Sequence, residues 1–380
     1  MAPAAQRVVV TDASQRVALE IVRCLGRARH TVIAVESNSA RSVPTFASRY
    51  CHETARPAPG EPLDEFLLHQ AGRADVLIPV STNTVILVAD RLDDFRSRCA
   101  VLVPPAEIVR KVIGKASIIA AAENVGVPVP RTVRPSSVDD LDTVSQKLDF
   151  PLVVKLADDE NLYLAPQDRY GFAGSLTELR ALWTHLHGIK PRPVVQQRIQ
   201  GPGIGFSTVL GSGGEFLGAV AHERIREYPI SGGPSTCCVS IHDPHLMDLS
   251  LRLLRSVGWI GPAMVEYKRD LRDGSYRLLE INPRFWGSIP LARLAGLNLP
   301  AAMVDYIAHG RVPEERLAAT GVKMRILPKD VLAGVGYLAA GRVGDFGGFV
   351  RDLFDPRVRP GLFDLTDPKP ALFFLRGTTR

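Results

Sequence analysis

Lysine is scarce in this sequence: of 46 basic residues, nine are lysine and 37 are arginine. The arginines are spread through every segment, and no run of five or more like charges occurs. The formal charge of +6 therefore does not mark the stripe or tail of a nucleic-acid binder. Cysteine is sparse too. Cys24, Cys51, Cys99, Cys237 and Cys238 are odd in number and include no C-x-x-C pair, which argues against a disulfide framework and against a zinc site. The vicinal pair Cys237-Cys238 reads as two small apolar residues of a strand. No apolar run approaches the roughly 20 residues of a membrane span, and no hydrophobic leader is read near the start. The cytoplasm is the expected location, with neither nucleic acid nor membrane as partner.

What is present is a globular composition, 46% hydrophobic over 380 residues, enough for two or three domains. Residues 7–105 alternate short β-rich runs with helical patterns, as a parallel sheet with crossover helices does. The fold class expected is α/β plus α+β, opening with a Rossmann-like domain over 1–105. Its first β–α turn, Thr11-Asp12-Ala13-Ser14, is not a G-x-G-x-x-G, so no dinucleotide site follows. Pro104-Pro105 closes this domain. A helical stretch is expected over 106–125 and further helices over 83–94, 137–148, 175–187, 244–257 and 287–309. Strands are expected over 151–156, 193–199, 205–210, 215–226, 260–269 and 276–282. Residues 311–380, rich in glycine and proline, read as irregular. The domains expected are 1–105, 106–195, 196–310 and a C-terminal extension, 311–380.

The segment from Met264 to Gly287 carries the most chemistry. Two β-patterned runs flank Asp273-Gly274, a hairpin turn signal. A turn there sets Glu266 opposite Glu280 to within one position, with Asn282 on the face of Glu280 and Lys268 on that of Glu266. Facing carboxylates repel unless a cation lies between them, and hard oxygen ligands without sulfur or imidazole suit Mg²⁺. Two solvated glutamates with water between them fit the same pattern.

Glu280-Ile-Asn-Pro-Arg284, with Glu266 on the partner strand, resembles the metal-binding core of the ATP-grasp superfamily, which includes biotin carboxylase, the carbamoyl-phosphate synthetase large chain and D-alanine–D-alanine ligase. The resemblance covers about four-fifths of the chain, with 1–105 similar to the domain preceding the ATP-grasp lobes and 106–310 to the two lobes. It implies an ATP-grasp fold, with ATP and Mg²⁺ (or Mn²⁺) as cofactors held between the lobes. Lys115, in Gly114-Lys-Ala-Ser before Val127-Pro-Val-Pro, is similar to the family's first phosphate-binding lysine. Lys155, ending Phe150-Pro-Leu-Val-Val-Lys155, is similar to the second. Val194-Val-Gln-Gln-Arg-Ile-Gln-Gly-Pro-Gly203 resembles the linker that holds the adenine, which nominates Gln196, Gln197 and Ile199. Two departures are plain: Gln197 stands where an acid is frequent, and Pro202 where many members place a ribose-binding Glu. The flap over 157–174 has Gly171 and Gly174 but no dense glycine cluster, and Asp158, Asp159 and Glu160 are expected to face solvent.

A second stretch, His222 to Thr236, resembles strings found in a bacterial branch of carboxylate–amine ligases. Alternation sets His222, Arg224 and Arg226 on one strand face, and Ser231-Gly-Gly-Pro-Ser-Thr236 is rich in backbone donors that can approach an anion. Arg226, Ser231, Gly232, Gly233, Ser235 and Thr236 are the expected substrate contacts. A hairpin with a Gly-rich turn and exposed arginines is the plainer reading. The resemblance implies a ligase that activates a carboxylate as an acylphosphate and couples it to an amine, with ADP and phosphate released. Glu266, Glu280 and Asn282 are then the metal ligands, Lys115 and Lys155 the phosphate ligands, and Arg284, with Arg224, the catalytic cations. Asp12 and Ser14 are candidates to line the acceptor pocket. The partners implied are small carboxylates and amines of amino-acid type, and a homodimer is compatible with this. A small-molecule kinase and a silent nucleotide-binding protein remain the alternatives.

Overall fold

The computed structural model describes residues 4–37, 43–156, 164 and 168–375. Contacts divide the chain into two units: the first comprises 1–110, 204–265 and 282–380, the second 111–203 and 266–281. Among the described residues, no helix is long and apolar enough to cross a membrane.

The first unit opens with four parallel strands: β1 (Arg7–Val10), β2 (Thr31–Val35), β3 (Glu53–Ala55) and β4 (Val76–Ile78), in the order β3-β2-β1-β4. Valine and isoleucine dominate them, and Val8, Val9, Val10, Val32 and Ile33 are fully buried, as strands covered on both faces require. The helix Arg16–Arg27 crosses from β1 to β2 and buries Val17, Ala18, Ile21, Val22 and Leu25. Because β2 and β3 lie to one side of β1 and β4 to the other, the β1/β4 boundary is a topological switch point. In open α/β sheets, ligands gather at such a point.

In the second unit, β5 (Thr132–Val133), β6 (Leu152–Lys155), β7 (Tyr170–Ala173) and β8 (Val194–Gln197) form an antiparallel sheet ordered β5-β8-β6-β7. Its core gathers Leu152, Val154, Leu156 and Val195 with Leu179, Trp183 and Leu186 of the helix Leu176–Ile189. Ser175 caps that helix by accepting from the Glu178 N–H. Asp158, Asp159 and Glu160 lie outside the described residues.

A seven-stranded sheet contains β9 (Gly203–Leu210), β10 (Phe216–Glu227), β11 (Ser235–Ile241), β12 (Gly261–Arg269), β13 (Tyr276–Asn282), β14 (Lys323–Arg325) and β15 (Val358–Pro360), in the order β13-β12-β9-β10-β11-β14-β15.

Three expectations about elements need correction. The helical stretches over 83–94, 106–125 and 287–309 are each divided, into Thr82–Asp90 and Leu92–Arg96, Ala106–Ile113 and Lys115–Asn124, and Ile289–Leu294 and Leu299–His309. Gly114 and Gly296 stand at two of the breaks, and Gly296 adopts φ +90°. Of the expected irregular stretch 311–380, the described residues 311–375 supply regular elements: β14, β15 and the helices Leu327–Ala339, Val343–Phe354 and Lys369–Leu375. Finally, β10 does not alternate regularly. Arg224 pairs with Cys238 and Arg226 with Cys237, so Ile225 is an extra residue of a β-bulge. Cys237 and Cys238 are consecutive and face opposite ways, and the bulge therefore sends Arg226 to the face opposite Arg224.

Candidate active site

In the second unit Lys115 reaches the strand end that carries Lys155. Lys155 ends β6, half-buried, where alternation along Leu-Val-Val-Lys directs it away from the core occupied by Leu152 and Val154. Lys115 is the first residue of the helix Lys115–Asn124, and its Nζ donates to the carbonyl of Leu156 at 3.3 Å. The residue after Lys155 thus accepts from Lys115, although 40 positions separate the two lysines in the chain. Two compact ammonium groups at one strand end suit phosphate oxygens.

The linker after β8 is held by its own backbone. The Gln196 side chain is buried and donates to Thr132 Oγ1 at 2.7 Å. With the Gln197 amide assigned by its partners, its oxygen accepts from Arg272 Nη1 and Nη2, both at 2.7 Å. Ile199 is buried. The carbonyls of Gln200 and Pro202 accept from the N–H groups of Leu271 and Arg269 at 2.9 and 3.1 Å, and that of Gly201 from Lys268 Nζ at 3.0 Å. Gly201 sits at φ +148°, and a Cβ there would lie 1.9 Å from the Arg269 carbonyl oxygen, so no other residue fits. Lys268 thus braces the linker, a contact its sequence context did not reveal. Only its strand parity with Glu266 drew attention to it.

Glu266 and Glu280 stand on β12 and β13, which are neighbours in the sheet. The turn between those strands is closed by the Asp270 N–H donating to the Ser275 carbonyl at 2.8 Å. Val265 and Tyr267 flank Glu266 and are buried, whereas Glu266 is half-buried and Glu280 exposed. Among the described residues, no group of three or more His, Cys, Asp or Glu could hold a metal by itself. Two carboxylates with an amide oxygen fit magnesium, which keeps several waters and takes substrate phosphates as further ligands.

In the first unit, Asn282 Oδ1 accepts from Arg284 Nη2 at 3.2 Å. Arg284 also donates from Nε to Thr82 Oγ1 at 3.2 Å and from Nη1 to the Phe285 carbonyl at 2.9 Å. Thr82 begins the helix after β4, so Arg284 is braced against the switch point of the parallel sheet. Thr82 carries no motif that would have singled it out. Asp12 holds the other side of that point. It adopts φ +54°, uncommon outside glycine though tolerated by Asp. Its Oδ2 accepts from Thr11 Oγ1 at 2.5 Å, the Ser81 N–H at 3.0 Å and Thr84 Oγ1 at 2.9 Å. Asp12 therefore ties the loops after β1 and β4 together. The Ser14 N–H donates to Glu36 Oε2 at 2.5 Å.

The residues nominated along β10 and its loop part company. Arg224 Nη1 donates to the Gly233 carbonyl and to Glu227 Oε1, both at 3.4 Å. Arg226, turned over by the bulge, is buried and donates from Nε and Nη2 to Asp330 and from Nη1 to Asp352. Thr236 Oγ1 donates to Asp330 as well, at 2.9 Å. Arg226 and Thr236 thus belong to a buried network that fastens the C-terminal helices to the sheet, a correction to their expected substrate contacts. Ser235 Oγ donates to the Cys237 carbonyl at 3.1 Å. Within the loop after Ser231, the Gly232 N–H donates to the Pro229 carbonyl at 3.1 Å, and a Cβ on Gly233 would lie 2.4 Å from the Tyr228 carbonyl oxygen. That glycine serves the loop's own close packing. His222, on the Arg224 face, is buried with its imidazole against Gly205, and burial with Arg224 nearby pulls its pKa down to about 3.

Residues 195–329 match a family profile described as ATP-grasp in the biosynthetic pathway with Ter operon. The arginine-specific large chain of mitochondrial carbamoyl phosphate synthase from Schizosaccharomyces pombe is 22% identical over 245 residues, 61% of this chain and 21% of that protein. Acetyl-CoA carboxylase 2 of Oryza sativa subsp. japonica is 37% identical over 99 residues, 25% of this chain and 4% of that protein. The chain thus spans about a fifth or less of the curated relatives it matches. Among solved structures, N5-carboxyaminoimidazole synthetase from Staphylococcus aureus with ADP superposes at TM-score 0.64 and 11% identity, covering 84% of this chain and 80% of that one. The biotin carboxylase domain of Hydrogenobacter thermophilus 2-oxoglutarate carboxylase, with MgADP and bicarbonate, superposes at 0.65 and 13% identity, covering 84% and 74%.

Proposed function

We propose that this chain, an ATP-grasp protein by fold, is an ATP- and magnesium-dependent ligase that joins a small carboxylate to an amine. The observation that carries the reading is the contact of Lys115 Nζ with the carbonyl following Lys155, which gathers two of nine lysines at one strand end. The relatives crystallised with ADP and MgADP support the same nucleotide here.

In this reading Lys115 and Lys155 bind the phosphates of ATP. Glu266, Glu280 and Asn282 would hold magnesium, which neutralises phosphate charge and orients the transfer. A carboxylate oxygen of the substrate bonds to the γ-phosphorus as the bond to the β-phosphate oxygen breaks, releasing ADP and leaving an acylphosphate. The amine nitrogen then bonds to the acyl carbon, the acyl carbon–oxygen bond breaks, and phosphate departs. The amine proton goes to phosphate or water. Phosphoryl transfer of this kind needs positioning and charge neutralisation more than an enzyme nucleophile. Arg284, braced by Thr82 and Asn282, would stabilise charge on the transferring phosphoryl group or on the tetrahedral oxygen. Arg224 is a second cation for the same purpose, with Ser231, Gly232, Gly233 and Ser235 offered to the substrate. Arg226 and Thr236 are not carried into this reading.

The test is an ADP-release screen of carboxylic acids, bicarbonate included, crossed with amines and read by mass spectrometry, with hydroxylamine as a trap. A hydroxamate forms only from an activated carboxylate. ADP formation with a stable phosphoester and no hydroxamate would instead show a kinase, and MgATP binding without turnover on any pair would overturn the ligase reading.

A further inference from the structure

The two helices Leu327–Ala339 and Val343–Phe354 pack against each other and are anchored from below. A Cβ on Gly334 would lie 2.7 Å from the ring of Phe349, so the helices touch closely there. Asp330 of the first helix and Asp352 of the second both receive Arg226, and Lys323 Nζ donates to Asp352 at 2.6 Å. The connecting turn is braced as well. Arg342 lies over the Tyr337 ring at 4.5 Å and donates to Asp345 at 2.8 Å. The hairpin is therefore a firmly mounted element.

Its outer face is apolar where a surface helix is normally polar. On the first helix Leu327, Val331, Val335 and Leu338 recur at intervals of four, four and three, and each is exposed by 41 to 59%. On the second, Val343, Val350, Leu353 and Phe354 form the matching stripe, and Phe354 is 80% exposed. The buried sides are the opposite ones, marked by Asp330, Ala333 and Tyr337 on the first helix and Phe349 and Asp352 on the second. With Leu332, these side chains leave roughly 800 Å² of apolar surface in water, above the largest patch of an ordinary monomer and close to what each partner gives a standard interface.

We propose that this hairpin face is the contact surface for a second copy of the chain, the two hairpins closing into a four-helix bundle about a twofold axis. Two antiparallel helices with a shared apolar face are half of such a bundle, and an isologous contact needs only one self-complementary patch. Charge does not oppose it: Lys329, Asp330, Asp345, Arg351 and Asp352 are the charged residues of the two helices, and none occupies a stripe position. The chain's net +6 is thus kept out of the contact. Asp330 and Asp352 are buried beneath the hairpin, which leaves Lys329, Arg351 and Asp345 toward solvent, too few basic residues for the Lys- and Arg-rich polar face of a helix that lies on lipid.

Sedimentation equilibrium of the full chain across micromolar concentrations tests this. The wild type should be a dimer. Val335→Glu should raise the dissociation constant by about 100-fold or more, as a charge left unpaired in an interface does. Leu271→Glu, at a 71% exposed apolar residue of the other unit, should leave it unchanged. Circular dichroism checks that each variant is folded. If Val335→Glu fails to fold, hydrogen exchange on the wild type decides, because protection over 327–354 should rise with protein concentration. A wild type that stays monomeric, a dimer indifferent to Val335→Glu, exchange over 327–354 that ignores concentration, or a monomer that sediments with anionic vesicles would each overturn the proposal.

Discussion

Arg226 and Asp330 are joined by two parallel hydrogen bonds, Nε to Oδ1 and Nη2 to Oδ2, both at 2.8 Å, with both side chains buried. The pair is bidentate and lies 104 residues apart in the chain, so it couples β10 to the helix Leu327–Ala339. Removing Asp330 leaves the buried guanidinium with Asp352 alone, and Arg226 Nε and Nη2 and Thr236 Oγ1 lose their acceptor. Asp330→Ala is therefore expected to lower stability by about 3–5 kcal/mol, read by urea unfolding. Arg226→Met combined with Asp330→Leu should recover much of that loss, because an apolar pair of similar volume avoids the desolvation cost. A loss no larger than that of an exposed ion pair in Asp330→Ala would show that the network does not hold the C-terminal helices.

Glu280 is exposed at its strand position and serves no core packing. Glu280→Ala should abolish magnesium-dependent ATP turnover while leaving the melting temperature within a few degrees of wild type. Wild-type turnover in that variant would remove Glu280 from the metal set. Omitting magnesium, or adding a chelator, should silence the wild type equally.

Lys155 is expected to bind phosphate rather than to shape the sheet. Lys155→Ala should weaken ATP binding by roughly 10- to 100-fold, the worth of one or two charge-assisted contacts. Isothermal calorimetry with a non-hydrolysable nucleotide would measure it. Unchanged affinity would take this lysine out of the site.

His222 imposes an acid limit on stability. Its buried imidazole has its pKa pulled from the ordinary 6.5 down to about 3. Below pH 6.5 the unfolded chain therefore takes up a proton that the folded chain refuses. The contribution is fully present above pH 6.5 and is lost as pH falls toward 3, at up to about 1.4 kcal/mol per pH unit. In His222→Asn the slope of unfolding free energy against pH should flatten between 6.5 and 3, whatever the change in its absolute level. An unaltered slope would assign the acid sensitivity elsewhere.

Much of the candidate site was legible because its residues sit in local patterns. Lys115 and Lys155 stood out by the rarity of lysine and by the proline-flanked segments beside them. Glu266 and Glu280 stood out because a hairpin turn sets their strands side by side. Thr82 and Lys268 were not legible as supports. Arg284 meets Thr82 across 202 residues, and Lys268 meets Gly201 across 67, so no local spacing encodes either contact. The ordered helices within 311–380 were obscured by Gly334, Gly336, Gly341, Gly344, Gly347 and Gly348. At Gly334 the missing side chain is what lets Phe349 approach.

Residue type and short-range periodicity nominate two carboxylates and an amide on a hairpin as candidate metal ligands and show no dinucleotide loop. The resemblance to the ATP-grasp superfamily adds Lys115 and Lys155 as candidates for phosphate. Which of the two β10 arginines turns into the core follows from strand pairing. Alternation puts Arg224 and Arg226 on one face, yet one extra residue, set by how β10 pairs with β11, turns Arg226 into the core. There, two aspartates from the C-terminal helices compensate its charge. A bulge is a property of two strands together, and neither strand's sequence contains it.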